Sequence, residues 1–166
     1  MAGIRHQMSL QKLVSGGQTG ADRAALDAAL YSGFPCGGWC PEGRLAEDGP
    51  LSSAYPLEEL SGSGYRQRTI KNIECSDGTA IFYFNRPTGG TELTLVQCIR
   101  LRKPYQLIDA AEISPVRACK ILRLFAQQNR VGVLNVAGPS EGRSPGTHAY
   151  VRETLLSLIE ALRVGV

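Results

Sequence analysis

The stretch KLVSGGQTGADRAALDAALYSG, from Lys12 to Gly33, constrains the fold more than any other part of the chain. A short apolar run leads into a loop of closely spaced glycines, and the loop leads into a segment in which Ala21, Ala24, Ala25, Ala28 and Ala29 share one helical face. Methyl side chains let such a helix lie close against a sheet. Thr19 is placed to cap it, Asp22 three residues on approximates a capping box, and Gly33 marks its end. This is a strand–loop–helix unit, and the pattern recurs. Strands are predicted at Pro35–Trp39, Thr79–Phe84, Tyr105–Asp109 and Val131–Val136. Helices are predicted over Tyr65–Gly78, from about Glu92 to Arg102, after Ser114 and Pro115, and after Ser144 and Pro145. The run TAIFYF is continuously apolar, as a strand buried on both faces requires. Such alternation predicts an α/β fold, with a mostly parallel sheet of five or six strands and helices on both faces.

A chain of 166 residues with 43% hydrophobic residues has the size and composition of a single domain spanning residues 1–166. Its net charge of +3 is spread along the chain, which argues against a nucleic-acid surface but not against a small anion. Five cysteines without paired CxxC spacing suit a reducing compartment and read mainly as small packing residues. No stretch approaches the roughly 18 apolar residues of a membrane span. The N-terminal MAGIRHQMSLQK lacks the apolar centre of a signal peptide. The expectation is a cytoplasmic protein with no membrane partner. The polar stretch from Pro41 to Gly64 is long for a connection inside a domain and is expected to cover a ligand.

In a parallel sheet the loops leaving successive strands open on one edge, so three glycine-bearing loops become one candidate site. In the first, Gly17 and Gly20 have the spacing of the last two glycines of a dinucleotide fingerprint, and Ser15 stands in place of the first. Amides around Gln18 to Ala21, at the positive end of the following helix, point toward an anion. Gly16 and Gly17 allow close backbone approach, and the hydroxyls of Ser15 and Thr19 add donors. Asp22 reads equally as a capping carboxylate and as a partner for a ligand hydroxyl. No lysine follows where a Walker A loop needs one. The second loop repeats the design with Gly89, Gly90 and Thr91 before a helix, and the third carries Gly138, Pro139 and Ser140, which also fit an ordinary turn.

Arg68 and Lys71 read either as phosphate partners or as a solvated helix face. Trp39, the only tryptophan, reads either as a ring-stacking platform or as core. His6 and His148 are isolated, and no His, Cys and carboxylate cluster has metal-ligand spacing. No directly coordinated zinc is expected.

With these residues in place, the chain resembles the molybdenum cofactor carrier protein family, within a wider group of Rossmann-like proteins that includes the lysine-decarboxylase-like phosphoribohydrolases. The matching stretches are SGGQTGADRAALDAAL, GGWCPEGRLAEDG, TGGTELT and NVAGP, from Val14 to about Pro139. The resemblance implies a Rossmann-like fold, a homo-oligomer (dimer or tetramer) and noncovalent binding of molybdenum cofactor (molybdopterin). A nucleotide is the substitute ligand. The resemblance also implies that the last strand, ending in NVAGP, inserts between the first and third, as in a permuted relative. The phosphoribohydrolases carry a glycine–threonine pair followed three residues later by a catalytic glutamate. Here the pair is Gly90 and Thr91, and the matching position is Thr94. Glu92 is out of register by two positions, nearly half a helical turn. Binding without catalysis is therefore the leading reading. The alternatives are a nucleoside-monophosphate phosphoribohydrolase-like enzyme using Glu92, Glu47 or Asp48 as acid or base, and an assembly module that binds no ligand.

Overall fold

A computed structural model describes residues 9–165; His6 and the first eight of the N-terminal residues read for a signal peptide lie outside them. Five strands form the main sheet: β1 (Lys12–Val14), β2 (Cys36–Gly37), β3 (Gly78–Tyr83), β4 (Tyr105–Asp109) and β5 (Val133–Ala137). Five helices accompany them: α1 (Ala21–Tyr31), α2 (Tyr65–Glu74), α3 (Gly89–Arg100), α4 (Pro115–Asn129) and α5 (Thr147–Val164).

The strand order is β2-β1-β5-β3-β4 and every pairing is parallel. The last strand lies between the first and third, as the resemblance implies. Leu13 is level with Leu134, and Ala80 with Val136. Along β3, Ala80 and Phe82 face the larger core with α1, α4 and α5, whereas Ile81 meets Ile73 and Cys98 on the α2 and α3 side. The run is apolar on both faces because both faces are covered. The alanine face of α1 is fully buried and packs against α5 as well as β1 and β5.

Some boundaries differ from the sequence reading for local reasons. α3 begins at Gly89 rather than near Glu92, because its glycines form the first helical turn instead of preceding it. Thr19 does not cap α1; the N-cap is Gly20, with no side-chain hydrogen bond. Ser114 does cap α4, its hydroxyl accepting from the Arg117 amide at 3.3 Å. The strand expected at Pro35–Trp39 breaks at Gly38, whose φ of 131° is open to glycine and whose missing Cβ makes room for the Ser15 backbone. Beyond the break, Trp39–Pro41 pairs in parallel with Glu58–Leu60 away from the main sheet.

The stretch from Pro41 to Gly64 has its own small core, in which Leu51 and Leu57 pack with Leu26 and Cys40. The Arg44 guanidinium ties it together by donating to the carbonyls of Leu51, Ser52, Tyr55 and Leu57. Cys40, Cys98 and Cys119 are buried, while Cys75 is exposed. No described helix is long and apolar enough to cross a membrane.

Candidate functional site

The loops leaving β1, β5 and β3 meet in one cavity of about 330 Å³. From the first loop it takes Gly16, Gln18 and Asp22; from the second, Thr88, Gly90 and Thr91; from the third, Gly138, Pro139 and Ser140. Arg68 and Asn72 of α2 form another wall, and Asn135 of β5 lies in the lining. Adjacent parallel strands bring these loops together although the first and third are more than a hundred residues apart in sequence.

The first loop is largely held by its own chain, and of the amides expected to be free from Gln18 to Ala21 only that of Gly20 donates to no described group. The Ser15 hydroxyl is buried and donates to the Asp22 carbonyl at 2.8 Å. The Gln18 amide donates to the Asp22 carboxylate at 3.3 Å, the Thr19 amide to Gln18 Oε1 at 3.0 Å, and the Ala21 amide to the Pro139 carbonyl at 3.2 Å. Gly17, with φ at 79°, turns toward Leu51 and Leu57 rather than the cavity. Gly20 lets the third loop approach, since a Cβ there would overlap the Pro139 carbonyl oxygen.

Asp22 is the centre of this arrangement. Its side chain is 7% exposed and that of Arg68 12%, and Arg68 Nη1 lies 2.9 Å from Asp22 Oδ2. Burial pushes the Asp22 carboxyl up from its ordinary value, against the opposing pull of Arg68 and of the Gln18 and Gly16 amides. The guanidinium lies across Gly16, where any side chain would collide with it. Arg68 Nε is buried with no protein partner.

The second loop is open. Thr91 and Glu92 amides return to the Thr88 carbonyl, but those of Gly89 and Gly90 donate to no group among the described residues. They sit in the first turn of a 12-residue helix, where the backbone dipole favours an anion. Arg143, from the loop after β5, packs its guanidinium against Gly89 and lines the cavity. The sequence reading does not include Arg143. Its segment, EGRSP, has no periodicity, and only the fold carries it to the start of α3.

Trp39 does not reach this cavity. It is half-buried beneath Lys71, whose Nζ stands 5.3 Å from the indole centroid, and it lines a separate cleft with Lys12 and Glu58. Glu92 is exposed and outside the lining. Glu47 and Asp48 are tied elsewhere: Glu47 accepts from the Thr19 hydroxyl and, at 2.8 Å, from the Gly142 amide, while Asp48 takes both ends of the Arg23 guanidinium at 3.0 Å. The Pro41–Gly64 stretch thus clamps the outer side of the first and third loops and contributes nothing to the lining. Of the residues lining the cavity, Asp22 alone carries a carboxylate. Among the described residues, no group of three or more His, Cys, Asp or Glu is placed to hold a metal ion.

The clamp carries a pH prediction. Hydrogen bonds from the Thr19 hydroxyl and the Gly142 amide hold the Glu47 carboxyl below its ordinary value of 4.5. Its stabilisation is fully present above that value and is lost as pH falls through the lowered one. Glu47→Gln is expected to lower the melting temperature by a few degrees at neutral pH, with the gap to wild type closing as pH falls below the ordinary carboxyl value. Melting curves across that range check it; a gap independent of pH contradicts it.

A family model described as the circularly permutated YpsA SLOG family matches residues 13–159. The chain belongs to this family. The permutation in its description agrees with β5 lying between β1 and β3. The chain is also similar to a solved structure from Syntrophus aciditrophicus SB, named "Putative molybdenum carrier protein", at 39% identity and a TM-score of 0.89. The match covers 95% of this chain and 99% of that one. No curated protein matches. The permuted YpsA relationship thus spans the sheet, the three glycine loops and most of α5.

Proposed function

We propose that this SLOG-family chain is a carrier that binds a small phosphate-bearing molecule in the cavity where its three glycine loops meet. The observation that carries the reading is the pairing of two undonated amides, Gly89 and Gly90, with the Arg143 guanidinium at the start of α3. The phosphate sits there. Arg68 and Ser140 supplement it from the neighbouring walls, and Gln18, Asp22, Asn72 and Asn135 supply hydrogen-bonding groups for a polar ring system. The name of the Syntrophus protein supports molybdenum cofactor (molybdopterin) as cargo, and a nucleotide has matching chemistry. Residues 1–166 act as one cytoplasmic ligand-binding domain, assembled as a homo-oligomer.

Catalysis has less support. N-glycosidic cleavage needs an acid or base beside the ligand, and Glu92, Glu47 and Asp48 all stand outside the lining. Incubation with nucleoside monophosphates is expected to release no free base.

Mass spectrometry of the small molecules that accompany gently purified protein tests the carrier reading. A phosphorylated pterin or nucleotide in stoichiometric amount supports it. Ligand-free protein that also fails to bind molybdopterin and nucleotides in titrations overturns it. Arg143→Glu, which replaces a phosphate donor by a repelling charge, is expected to weaken the recovered ligand's affinity at least about tenfold. Unchanged affinity in a calorimetric titration moves the phosphate away from α3.

A further inference from the structure

Three helices, α1, α3 and α5, follow the three central strands β1, β3 and β5. Each N-terminus presents amides that favour negative charge. At two of the three a carboxylate of the chain is hydrogen-bonded into the adjoining loop, whereas the first-turn acid of α3, Glu92, is exposed and accepts from no described amide. At α1, Asp22 lies back across the loop, taking the Gln18 amide at 3.3 Å and Arg68 Nη1 at 2.9 Å. At α5, Glu141 accepts from the Gly146 amide at 2.7 Å and the His148 amide at 2.8 Å. The intervening Gly142 amide is taken by Glu47, and the Glu141 amide by Thr19. At α3 the first two helical residues are glycines, and no described carboxylate or carbonyl accepts from their amides; the N-cap Gly20 amide of α1 is also without an acceptor, but there the buried Asp22 carboxylate stands beside it.

This distribution restricts the ligand. In a dinucleotide site the first glycine loop and its helix hold a pyrophosphate. Here that seat holds a carboxylate whose side chain is 7% exposed, fixed by a guanidinium and an amide. A second phosphate pointing from α3 toward β1 meets Asp22, the one carboxylate in the cavity lining. Like charges brought together in a partly dry cavity are strongly disfavoured. We propose that the site selects a ligand with a single phosphate monoester and rejects one with a diphosphate, Asp22 acting as the discriminating residue. Selectivity of this kind comes from a built-in repulsive group as much as from the attractive seat. The proposal rests on the carrier reading above and adds the phosphorylation class of its cargo.

The test is a calorimetric titration with adenosine monophosphate and adenosine diphosphate in magnesium-free buffer, on wild type and on Asp22→Asn, which keeps the shape and removes the charge. Wild type is expected to bind the monophosphate at least about tenfold more tightly than the diphosphate. Asp22→Asn is expected to narrow that ratio by strengthening diphosphate binding, an outcome that loosened packing alone does not produce. Circular dichroism confirms that the variant folds, and if it does not, the wild-type ratio decides the proposal. Equal wild-type affinities, or a ratio unchanged in folded Asp22→Asn, overturn the proposal and leave the carrier reading standing. Failure of wild type to bind either nucleotide or molybdopterin removes both.

Discussion

Arg68→Leu is expected to destabilise the protein by about 3 kcal/mol, because it leaves Asp22 buried without its cation. For a chain of this size that corresponds to a fall in melting temperature of roughly 10 °C. The side chains are 12% and 7% exposed and in contact at 2.9 Å, so the loss is much larger than for a surface ion pair. Burial already pushes the Asp22 carboxyl upward, and removal of the guanidinium pushes it further. A carboxyl whose folded pKa lies above its unfolded value stabilises the fold below the unfolded value and loses that contribution as pH rises through the folded one. The variant is therefore most impaired at neutral pH, and its deficit shrinks as pH falls toward about 4. Adding Asp22→Asn removes the uncompensated charge and is expected to recover at least half of the loss. Denaturant melts of the two single variants and the double variant form the cycle that checks this; additive losses contradict it.

Gly20→Ala is expected to cost about 3 kcal/mol or more through two effects that act together. The residue has φ 78° and ψ −127°, a region that side chains with a Cβ do not occupy without strain. The new methyl group also meets backbone, overlapping the Pro139 carbonyl and lying 2.8 Å from the Glu141 amide nitrogen. A flexible side chain moves aside, but the loop after β5 does not. Relief requires parting the first and third loops, which breaks the bond from the Ala21 amide to Pro139 and opens the cavity between them. Ligand affinity falls along with stability. A folded Gly20→Ala protein with wild-type melting and binding contradicts this account of the loop.

Much of the architecture is legible in local sequence because it rests on local chemistry. The apolar run at Tyr105–Asp109 is a strand with those bounds, and Ser114 with Pro115 opens α4 as a serine cap followed by proline does. Alternation puts the three glycine loops on one edge, since parallel strands end there, but the strand order that makes them neighbours is implied only by the family resemblance. The details that decide chemistry are less local. Asp22 and Arg68 are 46 residues apart, and nothing in either segment identifies the other as its partner. Thr19 has the spacing of a cap, yet Glu47 and the Glu141 amide claim its hydroxyl from 28 and 122 residues away. Trp39 follows the expected strand closely enough to suggest a ring platform, but the turn at Gly38 diverts it into another pairing. Glycine-rich spacing is thus informative about where loop amides gather and silent about whether the chain's own groups take them.

Amide proton–nitrogen correlation spectra recorded during titration with adenosine monophosphate test most directly which loop holds the phosphate. The Gly89 and Gly90 amide signals and the Arg143 guanidinium signal are expected to move together, with Thr19 and Ala21 holding their positions because their amides already donate within the chain. Movement confined to Gly17–Ala21, with Gly89 and Gly90 unaffected, contradicts the assignment of the anion seat to α3.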